Sequence, residues 1–253
     1  ITHIQERGRD ISSVPSIIQI AGHTLLMVGV IAVICGDMGM CLVYLCIFVV
    51  MAWIAGVKKR WFFFGGTGLV GGFLLAWHTV LQSDRFKYIR MRFLVVLDHD
   101  LDPLDKGFQQ NRSLLALGSG QFTGQGYLNG TQTQAPYSSA LPARHTDFIF
   151  SVVGETLGFV GSLLLLGLYA FVIFRMLLLA YYTRDRFGQL IIIGVMAMLL
   201  FHVYENIGMC IGLMPITGIP LPFISYGGTS LVVLMAEMGI ALSVSNRIEY
   251  ERS

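Results

Sequence analysis

The sequence predicts an all-α fold: a polytopic transmembrane helical bundle of about six spans with one long extracytoplasmic loop. Three observations carry this reading. Of the 253 residues, 55% are hydrophobic and only 13% are charged, whereas a soluble domain carries roughly 25% charged residues. The mean hydropathy is +0.68, more apolar side chain than a water-facing fold can hide. Apolar runs of the roughly 20 residues that cross a bilayer recur along the chain, and basic residues gather at alternate ends of them.

The spans follow in order. The first runs from about Ile17 to Cys35, the second from Met38 to Val57 and the third from Trp61 to Val80. Residues 81–146 interrupt as a polar loop within what reads as one membrane domain over 1–253. The fourth span begins near Asp147 and reaches about Ala180, the fifth runs from about Leu190 to Leu213, and the sixth from about Ser225 to Val244. Arg7 and Arg9 precede the first span, and Lys58, Lys59 and Arg60 lie between the second and third. Arg175, Arg184 and Arg186 surround the junction of the fourth and fifth, and Arg247 and Arg252 follow the sixth. Six crossings put every cluster on one side, which the positive-inside rule makes cytoplasmic. The loop 81–146 then faces outward and the C-terminus inward. Five or seven crossings would scatter the clusters over both faces.

Composition also bounds the partners. A net charge of +2 gives no basic surface for nucleic acid. Cys35, Cys41, Cys46 and Cys210 sit inside apolar runs without metal-ligand spacing and read as small buried hydrophobes. The first residues are mixed and polar, unlike a cleavable signal, and the chain starts with Ile, as a fragment would. The run Gly118–Gly126 lacks the ending of a phosphate loop, and no metalloprotease helix or serine-hydrolase elbow is present.

Ionisable groups at membrane depth call for a reason. Asp37, Asp147, Glu155, Glu205 and Glu237 qualify. Asp37 stands at a break between two spans, where capping a helix accounts for it equally well. Glu205 adjoins Asn206, and Glu205 and Glu237 both suit hydrogen bonds inside the bundle. Glu155 lies about two helical turns beyond Asp147 on nearly the same face. Asp147 is placed differently. It closes the polar loop where a helix enters lipid, so it can meet a substrate with its head in water and its tail in the membrane. A favourable interaction with the helix dipole explains the same position as well.

Two stretches carry a resemblance. One is His145-Thr146-Asp147-Phe148-Ile149-Phe150, continuing to Gly154-Glu155 and Leu157-Gly158-Phe159-Val160-Gly161. The other is Asn206-Ile207-Gly208-Met209, followed by Gly212 to Ser230 with Pro215, Gly218, Pro220, Pro222, Ser225, Tyr226, Gly227 and Gly228. Together they resemble the SEDS family of bacterial shape, elongation, division and sporulation proteins (RodA, FtsW and SpoVE). Gln109, Ser113 and Ala116–Gly120 support the likeness, and Gly126–Gln134 looks more like the RodA branch. Asp37-Met38-Gly39 is similar to the family's Pro-Asp-Leu-Gly turn with Gly36 in place of proline. Ala143 stands where the family has Glu, Thr156 replaces a second Glu, and Glu205 replaces an apolar residue.

The resemblance implies a C-terminal portion of a fold of about ten spans, with four upstream. It implies a bacterial cytoplasmic-membrane enzyme that polymerises lipid II into peptidoglycan glycan strands, with Asp147 as the catalytic base. Gln109, Ser113, Glu155 and Ser225 are candidates to line the substrate pocket, Asp37 is a further candidate by its motif, and Arg144, three residues from Asp147, is the first candidate to meet the donor's pyrophosphate. Arg90, Arg92, Lys106 and Arg112 are further loop cations able to meet a pyrophosphate, a task a divalent cation also performs. A class B penicillin-binding protein is the implied partner. Two other readings stay open on sequence: a flippase for lipid-linked precursors, and a non-catalytic membrane partner of such a penicillin-binding protein.

Overall fold

The computed structural model describes residues 1–6, 8–79, 82, 87–98, 101–102, 105–135 and 141–250, without the side chains of 87–88 and 245–250. Arg7, Arg252 and the side chain of Arg247, used above for orientation, lie outside the described residues. Among the described residues the regular structure is helical, with no strand. A helix satisfies its backbone polar groups internally, which lipid demands.

Helices α1 (Thr2–Glu6), α2 (Val14–Val30), α3 (Met38–Ile54) and α4 (Lys59–His78) form the first part. Pro15 sits in the first turn of α2, where its missing N–H is harmless. A π-helical turn, Ile31–Cys35, extends α2 until Gly36 turns left-handed at φ 64°. Asp37 then caps α3 by accepting the Met40 N–H at 3.0 Å. After α4 come α5 (Lys87–Leu97), α6 (Lys106–Ser119), α7 (Ile149–Tyr182), α8 (Arg186–Cys210) and α9 (Gly228–Tyr250).

Among the described residues, three helical segments are long and apolar enough to cross a membrane: Val14–Cys35, Ile149–Tyr182 and Arg186–Cys210. Met38–Ile54 and Gly228–Val244 are shorter apolar helices. The third expected span corresponds to α4, a 20-residue helix that buries none of its residues.

The described chain divides into two compact units. One comprises residues 1–68, 171–201 and 229–253. Its core joins Met176, Ala180, Ile192, Ile193, Leu199 and Ala241, with a second cluster of Ile11, Ala52, Ala55, Val57 and Leu190. The other comprises 69–170 and 202–228, around Ala116, Leu141, Phe148, Phe150, Tyr169, Met209, Cys210 and Leu221. All but one of the expected site residues lie in this second unit; Asp37 lies in the first.

Two features depart from the sequence expectation. The segment 81–146 is not a plain loop, for it contains α5 and α6. The buried positions of α6 are Gly107, Gln110, Ser113 and Ala116. They recur every three residues, but they are small or polar, so hydropathy gives no sign of a buried face. Helix α7 is also not one straight span. Gly158 breaks it at φ 69° and ψ −165°, a conformation open essentially to glycine alone.

At the break, two backbone donors and two backbone acceptors find partners outside the helix. In a continuous helix the N–H groups of Phe159 and Val160 would donate to the carbonyls of Glu155 and Thr156. Here they donate to Gln121 O (2.8 Å) and Phe122 O (3.1 Å). The freed carbonyls of Glu155 and Thr156 accept from Gln125 N (2.9 Å) and Gly126 N (3.0 Å). Residues 121–126 thus supply what the helix gives up. The approach is close enough to need bare backbones. A Cβ at Gly158 would lie 2.6 Å from Phe122 O, and one at Gly120 would lie 2.8 Å from the Gly154 carbonyl carbon.

Candidate active site

Asp147 ends the turn 142–148 that leads into α7, and its side chain is half-buried. Three consecutive carbonyls hold this turn. His145 O accepts the Tyr226 N–H at 2.8 Å, Thr146 O accepts the Ser225 hydroxyl at 2.6 Å, and Asp147 O accepts the Asn206 amide at 2.8 Å. Each donor belongs to the second of the two sequence stretches that contain the resemblance. Ser225 Oγ also accepts the Leu221 N–H at 2.7 Å, and Asn206 Nδ2 donates to Ile219 O at 2.8 Å. The Tyr169 hydroxyl ties α7 to the same proline-rich segment by donating to Pro222 O at 2.5 Å.

Asp147 is therefore positioned through the backbone of its turn. Partial burial pushes its pKa above the usual aspartate value, opposed by a hydrogen bond from Thr146 and by the charge of Lys106. Gly218, at φ 80°, is the nearby backbone; a Cβ there would sit 3.5 Å from Asp147 Oδ2.

Residues 3–250 match the family described as cell cycle proteins of the FtsW/RodA/SpoVE type.

The chain belongs to the FtsW/RodA/SpoVE family.

Relatives include the peptidoglycan glycosyltransferase MrdB of Escherichia coli K12, 44% identical over 177 residues, or 70% of this chain and 46% of that protein. RodA of Treponema pallidum is 42% identical over 63% of this chain and 36% of its own length. A probable FtsW of Geobacter sp. M18 is 37% identical over 84% of this chain and 55% of its own length. These identities fit the RodA branch. The chain spans about half the length of the curated relatives it matches.

Among solved structures, one described as showing structural coordination of polymerization and crosslinking by a peptidoglycan synthase complex is similar at TM-score 0.78 and 33% identity. It covers 95% of this chain and 64% of its own. An aspartate-to-alanine mutant of Thermus thermophilus RodA matches at TM-score 0.61 and 30% identity, over 94% of this chain and 59% of its own.

Within this family member, Glu155 is wholly buried and bound to the loop. Its Oε1 accepts from Gln132 N (2.7 Å), Ser119 Oγ (3.3 Å) and Thr131 Oγ1 (3.3 Å), and its Oε2 from Thr133 N (2.9 Å). Gly130 makes room, since a Cβ there would lie 2.6 Å from Oε2. The same strip of chain seats two arginines: Arg112 Nη1 donates to Gln132 Oε1 at 2.9 Å, and Arg144 Nη1 donates to Thr133 O. Glu155 therefore organises the loop from inside.

Ser113 is equally buried. Its hydroxyl lies 2.6 Å from Ser151 Oγ and donates to Cys210 O at 2.8 Å, joining α6, α7 and α8. Gln109 is partly exposed and donates to Asp105 Oδ1 at 3.0 Å. Asp37, in the other unit, caps α3. Among the described residues, no three His, Cys, Asp or Glu side chains are grouped so as to hold a metal ion. Arg90 stacks over Trp77 at 5.8 Å.

Asn206, Gly218 and Tyr169 were not singled out on sequence, although they hold or face the Asp147 turn. Asn206 and Gly218 stand in the quoted stretches. An asparagine in an apolar helix and a glycine between prolines were the available signals. Tyr169 gave none, being one aromatic in an apolar run.

Proposed function

We propose that this chain carries the catalytic centre of a peptidoglycan glycosyltransferase that polymerises lipid II, with Asp147 as general base. The observation that supports this most is the seat of Asp147, in a turn whose three consecutive carbonyls, 145–147, each accept a hydrogen bond while its half-buried carboxylate faces a bare glycine. The relatives' names as peptidoglycan glycosyltransferases point the same way.

Asp147 takes the proton from the acceptor sugar's 4-hydroxyl. The oxygen attacks the donor's anomeric carbon from the face opposite the leaving group. The bond from that carbon to the phosphate oxygen breaks, and the electron pair leaves with the lipid pyrophosphate. Inversion converts the α-linked donor into a β-1,4 link. One carboxylate suffices, because a neutralised pyrophosphate departs without a general acid; the paired carboxylates of glycoside hydrolases are unnecessary. A pKa raised by burial makes Asp147 a stronger base than an exposed aspartate.

Arg144, with Lys106 and Arg112, is the proposed partner of the pyrophosphate. A divalent cation is a further proposed partner of the pyrophosphate. Ser225 and Glu155 are proposed to shape the pocket from behind, and Ser113 to pack it. Gln109 and Asp37 are proposed contacts for polar parts of the substrate. The basic clusters support a cytoplasmic C-terminus and an outward-facing 81–146 segment in the bacterial cytoplasmic membrane. A class B penicillin-binding protein is the proposed crosslinking partner, by analogy with the synthase complex.

The test uses the full-length protein, purified in detergent and supplied with lipid II. Glycan should form, and Asp147→Asn should abolish it without loss of expression or fold. Full polymerisation by Asp147→Asn would overturn the assignment. Lipid movement in liposomes without polymer would replace it with transport.

A further inference from the structure

We propose that Glu205 is a positioning residue for Asp147, acting through Thr217 and Gly218. Its kinetic consequence rests on the function proposed above. Glu205 is 2% exposed, and a carboxylate so placed in an apolar helix has to find a donor. It finds Thr217, whose hydroxyl donates to Oε1 at 3.1 Å. The next residue, Asn206, donates its amide to Ile219 O and to Asp147 O, both at 2.8 Å. Two consecutive side chains of α8 thus grip the residues on either side of Gly218.

Gly218 is the residue whose placement matters. Its φ of 80° is one that side-chain-bearing residues rarely adopt, and even an added Cβ would come within 3.5 Å of Asp147 Oδ2. The gap between that backbone and the reacting oxygen, which a single added Cβ would fill to van der Waals contact, is set by Glu205 on one side and Asn206 on the other. Without the Glu205 bond, Thr217 and Gly218 can drift toward the carboxylate, into space the acceptor hydroxyl has to occupy.

The experiment compares Glu205→Ala, Glu205→Gln, Thr217→Val and the Glu205→Ala/Thr217→Val double variant in the full-length protein. Lipid II polymerisation gives kcat and KM, and hydrogen exchange over residues 216–221 reports the segment directly. Loss of one buried hydrogen bond predicts about tenfold faster exchange for Glu205→Ala and Thr217→Val. The same two variants should lose about tenfold in kcat with little change in KM. Glu205→Gln keeps an acceptor oxygen and should recover most of both. The double variant should be no worse than either single one, because both remove the same bond.

Parental exchange and turnover in Glu205→Ala would overturn the proposal. So would a Glu205→Gln variant as impaired as Glu205→Ala, since the defect would then belong to charge rather than to the bond. If Glu205→Ala fails to fold, Thr217→Val alone decides by the same two readouts. A parental protein unable to polymerise lipid II would remove the function reading, while the exchange comparison would still decide whether the grip exists.

Discussion

The side-chain amide of Asn206 lies 2.8 Å from the carbonyl oxygen of Asp147, and the same nitrogen reaches Ile219 O at 2.8 Å. One buried group on α8 therefore joins the turn bearing the carboxylate to the proline-rich segment facing it. Asn206→Ala removes the donor for two buried carbonyls, and Asn206→Asp replaces it with an acceptor. Each should lower stability by about 2–3 kcal/mol. Thermal unfolding in detergent measures this, and Asn206→Asp should be the worse because it sets a carboxylate against two carbonyl oxygens.

Glu155 gathers four donors from residues 119–133. Glu155→Ala leaves the N–H groups of Gln132 and Thr133 unpaired inside the protein and should cost about 3 kcal/mol. Limited proteolysis should then cut within 119–135 at a protease level the parent resists. Glu155→Gln keeps one acceptor oxygen and should fall between the two.

Gly158 occupies a backbone conformation closed to other residues, and its missing Cβ lets Phe122 O approach. Gly158→Ala should lower stability by about 3 kcal/mol or more, from backbone strain and the clash together. A melting temperature within about 1 °C of the parent would contradict this account of the break.

Asp147 has a raised pKa because burial disfavours its charged form. A base must be deprotonated to act, so activity falls as the pH drops through that raised value. The acidic limb of kcat/KM should lie above the roughly 3.9 of an ordinary aspartate. Lys106 lowers the Asp147 pKa through its charge, so Lys106→Gln should move the limb further up. A limb that stays put, or moves down, would separate Lys106 from the carboxylate.

Much of this architecture was visible in the sequence, for reasons that can be named. Apolar runs announce α2, α3, α7, α8 and α9, because lipid exposure asks only for length and hydropathy. The turn around Asp147 was visible because polar and apolar residues change places there. Helix α6 was not, since its buried stripe is glycine, glutamine, serine and alanine, which pack by small size and hydrogen bonding. The break at Gly158 was hidden because hydropathy runs through it unchanged. The tucked loop also explains Glu155. A straight helix would set it on nearly the same face as Asp147, whereas its oxygens are taken by loop residues far along the chain.

The exchange of hydrogen bonds at Gly158 also fixes a count. Gln121 and Phe122 are pinned at one end, Gln125 and Gly126 at the other, both to the single turn 155–160. Only Thr123 and Gly124 lie between them. Adding or deleting even one residue there would put every donor out of step with its acceptor. Length variation in this segment is therefore confined to stretches outside 121–126, and a tag intended to leave the protein intact belongs there too.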